Sequence, residues 1–244
     1  MNSTTFKIAG MLAGMTAMPF LLQSRPAAAS LGDLAGNRSE GVQLLLLLTI
    51  LSLVPSILIM MTGFTRIIIV LSFVRNALGL QQMPPNQVLI GLALILNFFF
   101  MAPVMSEIKD KAYTPYVNEQ ITQEQAIEAA MDPLRGFMRG QTYKKDLELF
   151  MEMAKITSVP TVEDIPDRVL IPAFVTSELK RAFQIGFFLF IPFLVIDMIV
   201  ASTLMSMGMM MLPPTVISLP FKILLFVLVD GWGLVIKTLF SSFN

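Results

Sequence analysis

An all-α membrane-associated protein, with two long kinked hydrophobic helical hairpins on either side of a charged helical segment, is the architecture the sequence predicts. Three observations carry it. Hydrophobic residues make up 55% of the 244 and charged residues 14%, against about a quarter charged in an average soluble domain. Of 17 basic and 17 acidic residues, 10 and 13 fall within residues 107–181. The apolar stretches on either side each contain a proline pair, Pro84-Pro85 and Pro213-Pro214. Such a pair ends one helix and starts the next, because the residue before a proline avoids the helical region while proline suits a first helical turn.

Composition also narrows the chemistry. The formal net charge is zero, which points away from nucleic acid. The chain has no Cys and no His, which excludes thiol nucleophiles, thiolate zinc sites, imidazole bases and disulfides. No cofactor or metal is implied, and an enzyme is not expected.

Taken in order, residues 1–29 read as a signal peptide. Lys7 supplies the positive start, Ile8 to Leu22 the short apolar core, and Ala27-Ala28-Ala29 a small-residue cleavage site. A short first membrane helix is the competing reading. Residues 30–41 form a polar, Gly-containing linker. Residues 42–106 form the first hairpin. Its apolar run from Val42 to Val74 covers roughly 50 Å as a helix, more than the roughly 30 Å of a bilayer core. Bending or breakage is expected at Pro55 and Thr62-Gly63. Arg66 and Arg75, nine residues apart, read as a cytoplasm-facing cap.

Residues 107–181 are the charged segment, expected on the extracytoplasmic side. Helices are predicted at 122–139, where Thr122 and Gln125 fit a capping box, and at 143–156, with Leu147, Phe150, Met151 and Ala154 on one face. A third is predicted to begin near Ile171-Pro172. Residues 182–244 form the second hairpin, with a Met-rich loop at its tip. The two halves share the order apolar run, Pro-Pro, apolar run, in only loose register.

Two charges interrupt the second half. Charge in lipid costs at least roughly 2.5–3.5 kcal/mol. Counted along straight helices up to the proline pair, Asp197 lies about 24 Å from the turn and Lys222 about 12 Å. A pair within one hairpin is therefore disfavoured. Broken or unequal helices, a pair across a subunit boundary, an aqueous path, or helix-end charges reaching the interface remain. Met205, Met207, Met209, Met210 and Met211 surround Gly208. Methionine is flexible and repacks easily, so several copies around an axis would make a soft apolar seal that excludes ions by dewetting. A Met-rich helix end is the plainer reading.

LSFVRNALGLQQMPPNQVL (residues 71–89) and LMSMGMMMLPPTVISLPFKILLFVLVDGW (residues 204–232) resemble the signature segments of the FliP family of flagellar type III secretion export-gate proteins. The resemblance runs from about Leu44 to the C-terminus. It implies a homo-pentameric helical ring joined by FliR and FliQ, working with FlhA and FlhB in the inner membrane at the flagellar basal body. It implies a channel that passes unfolded flagellar subunits outward, closed by Met205, Met207 and Met209 to Met211. It also implies that the hydrophobic hairpins pack in protein largely above the bilayer, which suits Asp197 and Lys222 as inter-subunit charges. Phe137, Phe150 and Glu178 are candidate subunit-packing positions, with burial in the chain's own core the alternative for the two phenylalanines. From other classes, a small-solute secondary transporter fits the broken helices and intramembrane charges. An intramembrane Ser-Lys hydrolase has only isolated serines such as Ser202 and Ser206.

Overall fold

The computed structural model describes residues 38–80, 83–156, 161–209 and 211–243. The expected signal segment, residues 30–37 of the expected linker, and Met210 lie outside the described residues. Among the described residues the fold is helical, with no strand. The chain divides into two units, Met1–Leu53 and Val54–Asn244. Of the first, only the opening turns of α1 (Arg38–Met60) are described. Arg38 to Gly41, expected as linker, are already helical. Val42, Leu44 to Leu48, Leu51 and Leu53 are all exposed, so this helix is apolar around its circumference, a pattern suited to lipid or to other chains.

In the second unit, α2 (Phe64–Ala77) follows a break at Met61–Gly63, where Thr62-Gly63 was expected to bend the chain. Ile67, Val70, Leu71 and Val74 are buried at helical spacing on one face of α2. That face packs against α8 (Asp167–Ser206). The two helices approach closely because Gly186 has no side chain: a Cβ there would lie 2.5 Å from the Phe73 ring. α3 (Asn86–Phe100) returns along α2 after the Pro84-Pro85 turn. It bends by 60° into Ala102–Val117, made of α4 (Ala102–Ile108), a π-helical turn at Lys109–Tyr113, and α5 (Thr114–Val117).

The charged segment continues with α6 (Gln123–Gln141), which carries the expected capping box: the Gln125 amide donates to Thr122 Oγ1, and the Thr122 amide to Gln125 Oε1. α7 (Lys144–Met153) follows. α8 starts at Asp167, earlier than the expected Ile171-Pro172, and its 40 residues run without a break through Pro172 and Pro192. The expected 181/182 boundary falls inside it. Each proline removes one ladder bond, and the helix continues through both. α9 (Pro214–Leu228) packs on α8, and α10 (Gly231–Ser241) leaves α9 at 65°. The break at Val229–Asp230, with Asp230 left-handed at φ 50°, divides the last apolar run at one of the charges that interrupt it in the sequence.

Two cores result. One joins α2, α3, α8, α9 and α10 through Ile67, Leu71, Leu89, Phe193, Phe226 and Leu239. The other lies under α6 and α7, around Met61, Met138, Val169, Leu170 and Phe174. Among the described residues, by length and composition α8 alone is long and apolar enough to cross a membrane, and each bent pair, α3 with residues 102–117 and α9 with α10, passes if counted as one span.

Candidate functional site

The Met-rich tip is framed by backbone geometry at both ends. α8 stops at Ser206, and Gly208 takes a positive φ of 76°. The Gly208 amide donates to the Met205 carbonyl at 3.1 Å and the Met209 amide to the Leu204 carbonyl at 3.0 Å, which is a Schellman cap. α9 restarts at Pro214. The same device ends α2. Gly79 has φ 76°, its amide reaches the Asn76 carbonyl at 3.0 Å, and the Leu80 amide reaches the Arg75 carbonyl at 3.3 Å. In both halves the capping glycine stands five residues before the first proline of the pair, Gly79 before Pro84 and Gly208 before Pro213. Met205, Met207 and Met209 are exposed, and Met211 is 98% exposed. An open apolar groove between α8 and α9 adjoins the tip, lined by Ile199, Thr203, Leu204, Ile217 and Phe221 among others.

Below the tip, Asp197 and Lys222 meet within one chain, Nζ to Oδ2 at 2.5 Å. This corrects the straight-hairpin count. That count carried the helix to the proline pair, but α8 ends at Ser206. Asp197 is nine residues before that end and Lys222 eight after Pro214, so both sit about 12–14 Å from the loop. Lys222 also donates to the Ala77 carbonyl at 3.1 Å, and Ser218 donates to Asp197 Oδ1. Ala77 is the last residue of α2, whose carbonyl pole favours a cation. The cluster thus ties the end of α2 to α8 and α9. Ser218 went unnoticed in the sequence, although four residues before Lys222 places it on the same helix face.

The second charged cluster overturns the reading of Arg66 as a cytoplasm-facing cap. Arg66 and Glu178 are both fully buried and form an ion pair, with Arg66 Nε donating to Glu178 Oε2 at 2.9 Å. Arg66 Nη2 donates to Gln141 Oε1 at 2.9 Å and Nη1 to the Ser242 carbonyl at 2.6 Å. The missed signal was spacing, since Arg66 shares a helix face with Val70 and Val74. Arg75 stays at the proline turn, donating to Asn86 Oδ1. Phe137 is half-buried beside Phe174 and Phe243, at 5.8 and 6.4 Å between centroids. Phe150 is half-buried against the second core.

A third cluster joins α7 to α8. Asp146 is buried, pairs with Lys180, and accepts from Ser177 Oγ at 2.8 Å, while the Tyr143 amide donates to Ser177 Oγ at 3.0 Å. Burial pushes the Asp146 carboxyl up, but hydrogen bonds from Lys180 and Ser177 together outweigh it, and the carboxyl titrates below its ordinary range. Its place four residues before Phe150 marked it for the buried face. Arg135 is held in its charged form by bonds from its guanidinium to Asp167 and Glu128. Among the described residues no group of three or more acidic side chains could hold a metal ion.

These arrangements tie helices to one another: the Ser218 and Ser177 hydroxyls each donate to a carboxylate that is itself paired with a lysine. The FliP family model matches residues 47–239. The chain is 61% identical over 207 residues to the flagellar biosynthetic protein FliP of Bacillus subtilis, covering 85% of this chain and 94% of that one. It is 59% identical to the FliP of Pectobacterium carotovorum, over 83% of this chain and 78% of that one. With the FliP of Aquifex aeolicus it shares 52% identity, over 86% of this chain and 88% of the other. A family model covering nearly all the described helices, together with relatives matched over most of their own length, shows that this chain belongs to the FliP family.

Proposed function

We propose that the chain is a core channel subunit of the flagellar type III export gate and conducts unfolded flagellar subunits across the bacterial inner membrane. The carrying observation is the exposed methionine tip, capped by Gly208, restarted at Pro214 and braced by the Asp197–Lys222 cluster, in a chain of the FliP family. In the proposed assembly five copies form a ring with FliR and FliQ, beside FlhA and FlhB at the basal body. The exposed apolar faces of α1, α8 and α9 meet neighbouring chains and lipid. Met205, Met207 and Met209 to Met211 converge on the axis and close it to ions while yielding to a passing chain. Phe137, Phe150 and Glu178 steady the layer from which subunits pack. The segment 107–181 faces the extracytoplasmic side.

Deleting Met209 to Met211 in the assembled complex tests the seal. The native mass stays that of a multi-subunit ring, and ion conductance across the membrane rises. Normal assembly with unchanged conductance rejects the seal, and a monomer or dimer of the unaltered chain with FliR and FliQ present rejects the ring. A single Cys near residue 130, in a chain with no other, reports sidedness by labelling with an impermeant thiol reagent.

A further inference from the structure

The last described residues occupy a built socket. The Phe243 ring lies under the Arg66 guanidinium, 3.9 Å from Cζ to the ring centroid. It packs against Phe100 at 5.2 Å and Phe137 at 6.4 Å between centroids. Gly63 makes the space, since a Cβ there would come within 2.5 Å of the ring. The backbone is gripped as well. Arg66 Nη1 donates to the Ser242 carbonyl at 2.6 Å, Arg181 Nη1 reaches the same oxygen at 3.4 Å, and Gln141 Nε2 donates to the Phe243 carbonyl at 2.9 Å.

The last carbonyls of a helix lack partners within it, and cations are favoured at that pole. Just past the end of α10, side chains from α2, α6 and α8 supply both the donors and the charge. A tail that only filled space would need none of these polar contacts. The socket walls come from the α1–α2 break, α2, α3, α6 and α8. Phe137 and Gln141 hold the tail at the C-terminal end of α6.

We propose that Ser242–Phe243 is an intramolecular latch: seated in this socket, the segment fastens the C-terminal end of α6 to α2, and its release frees that end of the charged layer while the apolar core stays folded. The latch gives the two layers a joint that opens without unfolding either.

Backbone hydrogen exchange of the full chain in detergent, read by mass spectrometry, tests this. Phe243→Ala removes the ring, and Gly63→Ala crowds it. Both variants should exchange about tenfold faster at residues 137–141 and 61–66, from the lost aromatic and cation–π contacts, with α7 and α9 unchanged. Gln141→Leu, which removes one backbone grip and the acceptor of Arg66 Nη2 and Arg181 Nη1 but no core volume, should speed the same two stretches. Phe243→Tyr, which keeps the ring over the guanidinium, should restore protection. Faster exchange confined to α10, or spread evenly over the chain in Phe243→Ala and Gln141→Leu alike, overturns the latch.

Discussion

At the scale of single residues, the charges in this chain differ in how far each depends on its partner. Lys222 is nearly fully buried, while the Asp197 side chain keeps 27% of its exposure and a bond from Ser218. Asp197→Asn therefore strands a buried ammonium and should cost about 3–5 kcal/mol. Lys222→Met leaves a carboxylate with a hydroxyl donor and some water, and should cost less. The double variant with Asp197→Leu should recover most of the loss, and melting temperatures in detergent give the ranking. Asp146 makes a pH prediction. Its folded carboxyl titrates below the ordinary 3.8, so its contribution is present above that value and is lost as pH falls through the folded value. Exchange in α7, relative to the intrinsic rate at each pH, should rise on acidification below about pH 4. Asp146→Asn should raise it at neutral pH and flatten the dependence.

At the scale of elements, glycine positions separate turn geometry from packing. Gly208 has open space around it and a positive φ, so Gly208→Ala should cost about 1 kcal/mol from the backbone alone. Gly91 sits inside α3 with nothing nearby, and Gly91→Ala should stabilise by about 0.5–1 kcal/mol. Gly186→Ala forces Phe73 aside and should be the worst of the three, as a thermal melt of each would show. The same elements mark what the sequence could and could not tell. The helical class, the Thr122 capping box, the break near Thr62-Gly63 and the two proline turns were legible because each rests on local chemistry. The end of α8 at Ser206 was legible too, in Gly208, but the proline pair drew the helix boundary seven residues too late. That single displacement separated Asp197 from Lys222 on paper. The Arg66–Glu178 pair was not legible, since 112 residues part the two and only tertiary packing unites them. The continuity of α8 through Pro192 was likewise not legible.

At the scale of the whole molecule, the exposed apolar surface sets the prediction. Phe188 is 70% exposed and Met198 is 64% exposed on α8, outside both cores. Substituting either with Ser should change the melting of the isolated chain by no more than about 0.5 kcal/mol, yet lower the yield of assembled complex by native mass. Replacing exposed Glu152 on α7 with Gln should change neither. The matched glycine-to-proline interval in the two halves has a mechanical consequence. A Schellman cap and a proline restart clamp the tip at both ends, so the backbone path between them has little length to give or take up. In the proposed ring the lining would behave as a compliant gasket on a stiff rim, widening by rotation about side-chain bonds. Leakage should then follow the total side-chain volume at the rim and be indifferent to the order in which Met209, Met211 and Leu212 occur.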